Sequence, residues 1–168
     1  MAKQARKAKK KMTASRARRK LPARRRSAPA KPAAKPRKKS QMLKQTFVAN
    51  HHGPGAFAVG LRRYAQYRDL GIAAATGGLA RAHVIKMIPP CDPAEVSKRH
   101  YHDVEFQMIY VLKGWIKAEY EGAGVVTMRE GSCWLQPPKI EHTVLDYSDD
   151  CELLEIILPA DFDTVELE

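Results

Sequence analysis

The chain has 168 residues, room for one domain of ordinary size with an appendage. Its formal charge of +12 is unevenly spread: residues 1–45 hold 19 Lys and Arg and no carboxylate, whereas residues 46–168 hold 11 Lys and Arg against 18 Asp and Glu. The basic character belongs to the N-terminal stretch, which excludes any argument from net charge to the function of the remainder.

Cys91, Cys133 and Cys151 are an odd number without CxxC spacing, and they fit a reducing compartment better than a disulfide scaffold. The basic start is not followed by an apolar run of even about 7 residues, and no stretch of about 18 apolar residues spans a bilayer. The expectation is a soluble cytoplasmic protein without a membrane partner.

Residues 1–40 are Lys, Arg, Ala and Pro with almost no large apolar side chain. Such a stretch buries too little surface to offset the entropy of ordering, so a disordered tail is expected. Its charge suits non-specific contact with polyanions or nucleic acid through counterion release, without aromatics for base stacking. Translation from Met42 would remove 18 of those 19 charges. Residues 41–55 read as a connector or arm with Met42, Leu43, Phe47 and the pair His51-His52, closed by Gly53-Pro54-Gly55.

From residue 56 to 168 the texture is that of a β protein: short apolar runs separated by Gly, Pro and Asp. Strands are predicted over 64–69, 79–88, 105–112, 115–120, 125–129, 132–135, 141–147 and 151–158. About eight short strands at this spacing indicate a sandwich, jelly roll or barrel. No long segment has helical periodicity, and no internal repeat is visible.

Two segments carry the chemistry. In the first, His100-Tyr101-His102 is followed by Gln107 and Gly114. Residues i and i+2 of a strand share a face, so both imidazoles address one interior point while Tyr101 points away. Gln107 reaches that point from the next strand. In the second, Gly131, Pro137 and His142 are spaced so that a histidine just after a Pro-Pro turn supplies a third imidazole from across a barrel. A His-x-His pair alone is common on strands without metal; the spaced His142, Gly114, Gly131 and Pro137 raise it to a metal site.

With these spacings the chain resembles the cupin superfamily over roughly residues 79–158. Its first motif runs Gly, His-x-His, three or four residues, Glu, six residues and Gly, and His100, His102, Gln107 and Gly114 reproduce the spacing from the histidines onward. Its second is matched by Gly131, Pro137, His142 and Asp146. Gln107 stands where the family usually has glutamate, Lys139 replaces a turn glycine, Asp146 replaces an asparagine, and no glycine lies between residues 92 and 99. The resemblance implies a cupin-type jelly-roll β-barrel, a double-stranded β-helix, over residues 56–168, often homodimeric through strands exchanged at the barrel edge.

It also implies one divalent transition metal on His100, His102, His142 and Gln107, with iron, manganese, zinc, nickel and copper left undistinguished. Three imidazoles and an amide carry no negative charge, so the ion keeps its full charge for Lewis-acid polarisation, and redox cycling is somewhat disfavoured. Glu105 shares the parity of Gln107 and remains the alternative ligand or a catalytic base beside the metal; Asp146 is the other nearby carboxylate.

His51, His52 and His83 have no partner at ligand spacing and are read without a role. Trp115, Trp134, Tyr110 and Phe106 are read as core or dimer contact, Ile109 and Val111 as apolar pocket wall, and Cys133 as a buried small residue. Asp161, Asp163, Glu166 and Glu168 are read as solvated surface. The first functional reading is a metal-dependent enzyme acting on a small oxygenated organic molecule by isomerisation, lyase or decarboxylase chemistry, or dioxygenation. Its rivals are a non-catalytic cupin that binds a small molecule for sensing or storage, and a nucleic-acid-associated protein acting through its tail.

Overall fold

Short runs that alternate buried and exposed side chains bury one face only when strands pair into sheets and the sheets face each other. The computed structural model describes residues 44–60 and 62–167; the expected basic tail, Met42, Leu43 and Glu168 lie outside the described residues. Among those described there are strands β1 (Ala58–Val59), β2 (Ala65–Asp69), β3 (Arg81–Met87), β4 (His100–Asp103), β5 (Phe106–Lys113) and β6 (Trp115–Tyr120). They are followed by β7 (Gly124–Arg129), β8 (Cys133–Leu135), β9 (His142–Tyr147), β10 (Glu152–Leu158) and β11 (Asp163–Glu166). The helices are single turns, α1 (Ile72–Ala75) and α2 (Pro93–Val96). No helix among the described residues is long and apolar enough to cross a membrane.

One sheet runs β1-β2-β3-β10-β5-β8 and the other β11-β4-β9-β6-β7, with every neighbouring pair antiparallel, a layout consistent with the jelly roll expected. Between the sheets, Val96, Val111, Ile116, Ala118, Met128, Tyr147, Cys151 and Leu153 form a close-packed core. Predicted strand bounds agree to within a residue or two. The β4 strand was foreseen only through its histidine pair, and β1 and β11 were not foreseen.

Strand β9 carries a bulge that decides which side chains reach the interior. Ala118 of β6 pairs with Val144, but Lys117 pairs with Asp146, so Leu145 is the extra residue. Before the bulge His142 faces inward; after it the parity flips, Tyr147 becomes the buried residue and Asp146 is turned out to solvent. Lys139 adopts a φ of 63°, the left-handed conformation for which a glycine is the ordinary choice, and donates its N–H to the carbonyl of His102 at 3.1 Å.

Residues 44–55 form no regular element. Thr46 N–H donates to the carbonyl of Ala75 at 2.8 Å, and Asn50 bonds both the carbonyl of Asp69 and Arg68, so this arm lies along α1 and β2. Cys133 is exposed rather than buried, because it sits on the outward side of the sheet-edge strand β8.

Gly114, at the β5–β6 turn, has a φ of 69°. A Cβ there stands 2.2 Å from Ser148 Oγ, 2.6 Å from Asp150 Oδ1 and 3.2 Å from Cys151 Cα. Gly114→Ala is therefore expected to lower the unfolding free energy by about 2–4 kcal/mol, from left-handed strain plus overpacking. Urea denaturation checks it, and a loss below about 1 kcal/mol would show that the turn yields.

Candidate metal centre and cavity

His100 and His142 are each the first residue of a strand, and each ring is tied to the carbonyl two residues before it. Nδ1 of His100 lies 2.8 Å from the Lys98 carbonyl, and Nδ1 of His142 lies 3.0 Å from that of Ile140. A carbonyl only accepts, so both rings carry their proton on Nδ1 and present an Nε2 lone pair to the interior. Nδ1 of His102 lies 2.9 Å from Thr164 Oγ1 on β11. The three residues offer ligand nitrogens that all lie within 4.8 Å of one another.

The arrangement follows from register. His100 faces His142 across the β4–β9 pair, and Thr164 faces His102 across β4–β11. His142 therefore stands beside His100 on the adjacent strand, not across the barrel as the sequence had led us to expect. Gln107, on β5, is the residue that approaches from the opposite sheet, and it is buried.

Gln107 Nε2 donates to Glu155 Oε1 at 2.6 Å, and its Oε1 accepts from Gln136 Nε2 at 3.2 Å. Gln136 Nε2 also lies 3.2 Å from His142 Nε2, which accepts. One amide NH2 thus occupies the lone pairs of His142 and Gln107 together. One imidazole and the amide oxygen, two of the four donor atoms expected to meet a cation, thus already face an electropositive group, and the three-histidine group is able to hold a metal ion.

Burial, the largest cause in each case, holds all three imidazoles below the ordinary histidine value, His102 and His142 at about 4. They are neutral near pH 7, as ligands must be.

The cluster lines a cavity of about 390 Å³. From the facing sheet, β3 contributes Arg81, His83, Ile85 and Met87, and β10 contributes Leu153 and Glu155. His83 Nε2 and Glu155 Oε2 are 2.6 Å apart, and each of these side chains is 12 % exposed. Burial pushes the Glu155 carboxyl upward, but hydrogen bonding and charge from His83, with donation from Gln107, outweigh it and hold it below the usual glutamate value. Trp134 and Tyr120 line the same cavity and bond Gln136 Oε1 at 3.2 and 3.4 Å, and Trp134 also packs against the core, so it serves as core and cavity wall together. Ile109 is wall as expected, whereas Val111 lies in the core below.

Glu105 is not brought to the site. It lies at the bend before β5, where the strand parity that aligned it with Gln107 has not begun, and it is exposed. Asp146 is outside as well, through the β9 bulge. The carboxylate in the cavity is Glu155, and its partner is His83, which sequence reasoning left without a role. The signal was present: Leu153, Glu155 and Ile157 share one strand face, and so do His83, Ile85 and Met87. Gln136 shares the parity of Trp134 just past the end of β8 and was equally missed.

Residues 91–157 match the family model of the cupin domain. No curated protein matches the chain in sequence. Among solved structures, the polyketide cyclase RemF from Streptomyces resistomycificus superposes with a TM-score of 0.57 at 13 % identity, over 73 % of this chain and 87 % of that one. The salicylate 1,2-dioxygenase from Pseudoaminobacter salicylatoxidans gives 0.52 at 8 % identity, over 65 % and 30 %. The oxalate decarboxylase from Lactobacillus farciminis gives 0.51 at 13 %, over 66 % and 33 %. At these identities the likeness is one of fold.

The depressed imidazoles have a consequence for stability. In the unfolded chain they protonate near 6.5, so between about pH 6.5 and 4 the folded state binds fewer protons than the unfolded one. Stability of the metal-free protein is then full above about 6.5 and falls as pH drops through that window. Urea midpoints of chelator-treated protein at about pH 7.5, 6 and 5 should decline in that order, and a midpoint unchanged to about pH 5 would contradict the burial of these rings.

Proposed function

The chain belongs to the cupin superfamily, and from that premise we propose that it is a metal-dependent enzyme acting on a small oxygenated organic molecule. His100, His102 and His142 hold one divalent transition metal, and Gln107 completes the set from the opposite sheet. The observation that carries this reading is the pairing of a neutral three-imidazole cluster with a buried carboxylate–imidazole couple, Glu155 and His83, in one cavity.

A divalent ion bound there supplies Lewis-acid polarisation of a substrate oxygen. The protein's own groups do the rest. The Lys98 and Ile140 carbonyls and the Thr164 hydroxyl orient the three rings. Glu155 fixes the Gln107 amide so that its oxygen, not its nitrogen, faces the cluster side. His83 and Glu155 accept or return a proton at the cavity wall, the acid–base function that neither Glu105 nor Asp146 is placed to serve. Ile85, Met87, Ile109 and Leu153 keep the wall apolar and limit water.

The structural neighbours named as cyclase, dioxygenase and decarboxylase share the fold and select no reaction for this chain. The acid–base couple favours an enzyme over a cupin that only binds its ligand.

The full chain purified without chelator is expected to carry about one equivalent of a single transition metal, and His100→Ala to lose it. Absence of metal from both, after reconstitution with several divalent ions, overturns the reading. In a mass-spectrometric screen of small hydroxy, keto and phenolic compounds, the loaded chain should consume a substrate that Glu155→Gln, with its metal intact, turns over about 10²–10⁴-fold more slowly. Binding without consumption would return the protein to the non-catalytic class.

A further inference from the structure

Within that proposed active site, the charges around the cavity are unequal. Its lining includes two arginines, Arg62 and Arg81, and one glutamate, Glu155. Glu155 is paired with His83, and Arg62 forms an ion pair with Glu166. Arg81 has no carboxylate partner among the described residues; its guanidinium stands 5.9 Å from the centre of the Phe162 ring. The imidazoles and the amide of the cluster contribute no negative charge, so a bound divalent ion would add to the positive excess. A cation beside a largely apolar cavity is poorly compensated and strengthens the binding of any anion that enters.

The position of Arg81 matches a ligand held at both ends. Ile157 pairs with Arg81 on one side and with Gln107 on the other, so Arg81 and Gln107 lie on one row, two strands and about 10 Å apart. Phe162 reaches from Arg81 to the histidine cluster, its ring 5.5 Å from that of His102 and 5.9 Å from the Arg81 guanidinium. Tyr64, Tyr67, Tyr120 and Trp134 complete a wall of flat rings.

We propose that the cavity takes a small organic anion with a flat, unsaturated or aromatic body, and that Arg81 binds its carboxylate while another oxygen faces the histidine cluster. The guanidinium fork is matched to a carboxylate and forms charge-assisted hydrogen bonds that a neutral amide does not. The proposal rests on the same cavity as the enzyme reading but concerns charge selection, which is measured separately.

The test compares benzoate with benzamide, equal in shape and different in charge, by titration calorimetry on the zinc-reconstituted full chain. Benzoate is expected to bind at least about tenfold more tightly. Arg81→Gln should abolish that preference and Arg81→Lys, which keeps the charge but not the fork, retain part of it, with unchanged melting curves and zinc content in both. Equal binding of the two probes, binding of neither, or a preference that survives in Arg81→Gln overturns the proposal. Zinc content in the same samples separates the two readings. One equivalent of zinc without charge preference removes the anion proposal alone; charge preference without zinc removes the metal centre alone.

Discussion

The hydrogen bonds from Nδ1 of His100 and His142 to the carbonyls of Lys98 and Ile140 govern the character of the whole interior. Each is made at the start of a strand, to a residue two positions earlier, by a backbone already fixed by neighbouring structure. They force the proton onto the outer nitrogen and turn a bare lone pair into a buried space. Burial then keeps the rings from charging. An unprotonated imidazole nitrogen in such a place must find a donor or a cation. The amide of Gln136 serves His142 in this way and, with its second hydrogen, serves Gln107. On the proposed reading a cation and that amide would compete for the same two atoms, which would couple metal binding to the position of one side chain after β8.

The two sheets divide the chemistry between them. Neutral donors come from β4 and β9, with Thr164 of β11 behind them. The charged groups and the proton couple come from β3 and β10 on the facing sheet, with Gln107 of β5 crossing to the metal side. Glu155 lies at the junction, bonded to His83 through one oxygen and to Gln107 through the other. A change in the protonation of this carboxylate therefore acts on both the acid–base couple and the orientation of an expected ligand. The largely buried carboxylate of β10 is thus accommodated because both of its oxygens are satisfied.

Much of this was legible in the sequence. The His-x-His pair and His142 could be read because strand parity and motif spacing are local properties, and so could most strand bounds. What escaped depended on tertiary register. Asp146 was misplaced because a bulge has no sequence mark here, and Glu105 because a strand began one residue after it. Glu155, His83 and Arg81 were passed over although each shares a face with apolar neighbours, since a polar residue on such a face gains meaning only once its partner strand is known. His142 was assigned to the far wall because strand order in a jelly roll does not follow chain order.

The C-terminal segment shows the same lesson from the side of stability. Its carboxylates resemble solvated surface, yet Asp163–Glu166 forms the strand that completes the site. On its other side β4 meets β9 at only one registered pair, His100 with His142, whereas β11 pairs with all four of its residues. Without β11, the strand bearing two of the three imidazoles would be a nearly unpaired edge, and His102 would lose the Thr164 hydroxyl behind it. Phe162 precedes that strand and reaches both His102 and Arg81; Glu166 ends it and neutralises Arg62. Five residues thus orient the His102 ring, reach the Arg81 guanidinium and pair Arg62 with Glu166, leaving Arg81 as the arginine of the lining without a carboxylate partner among the described residues.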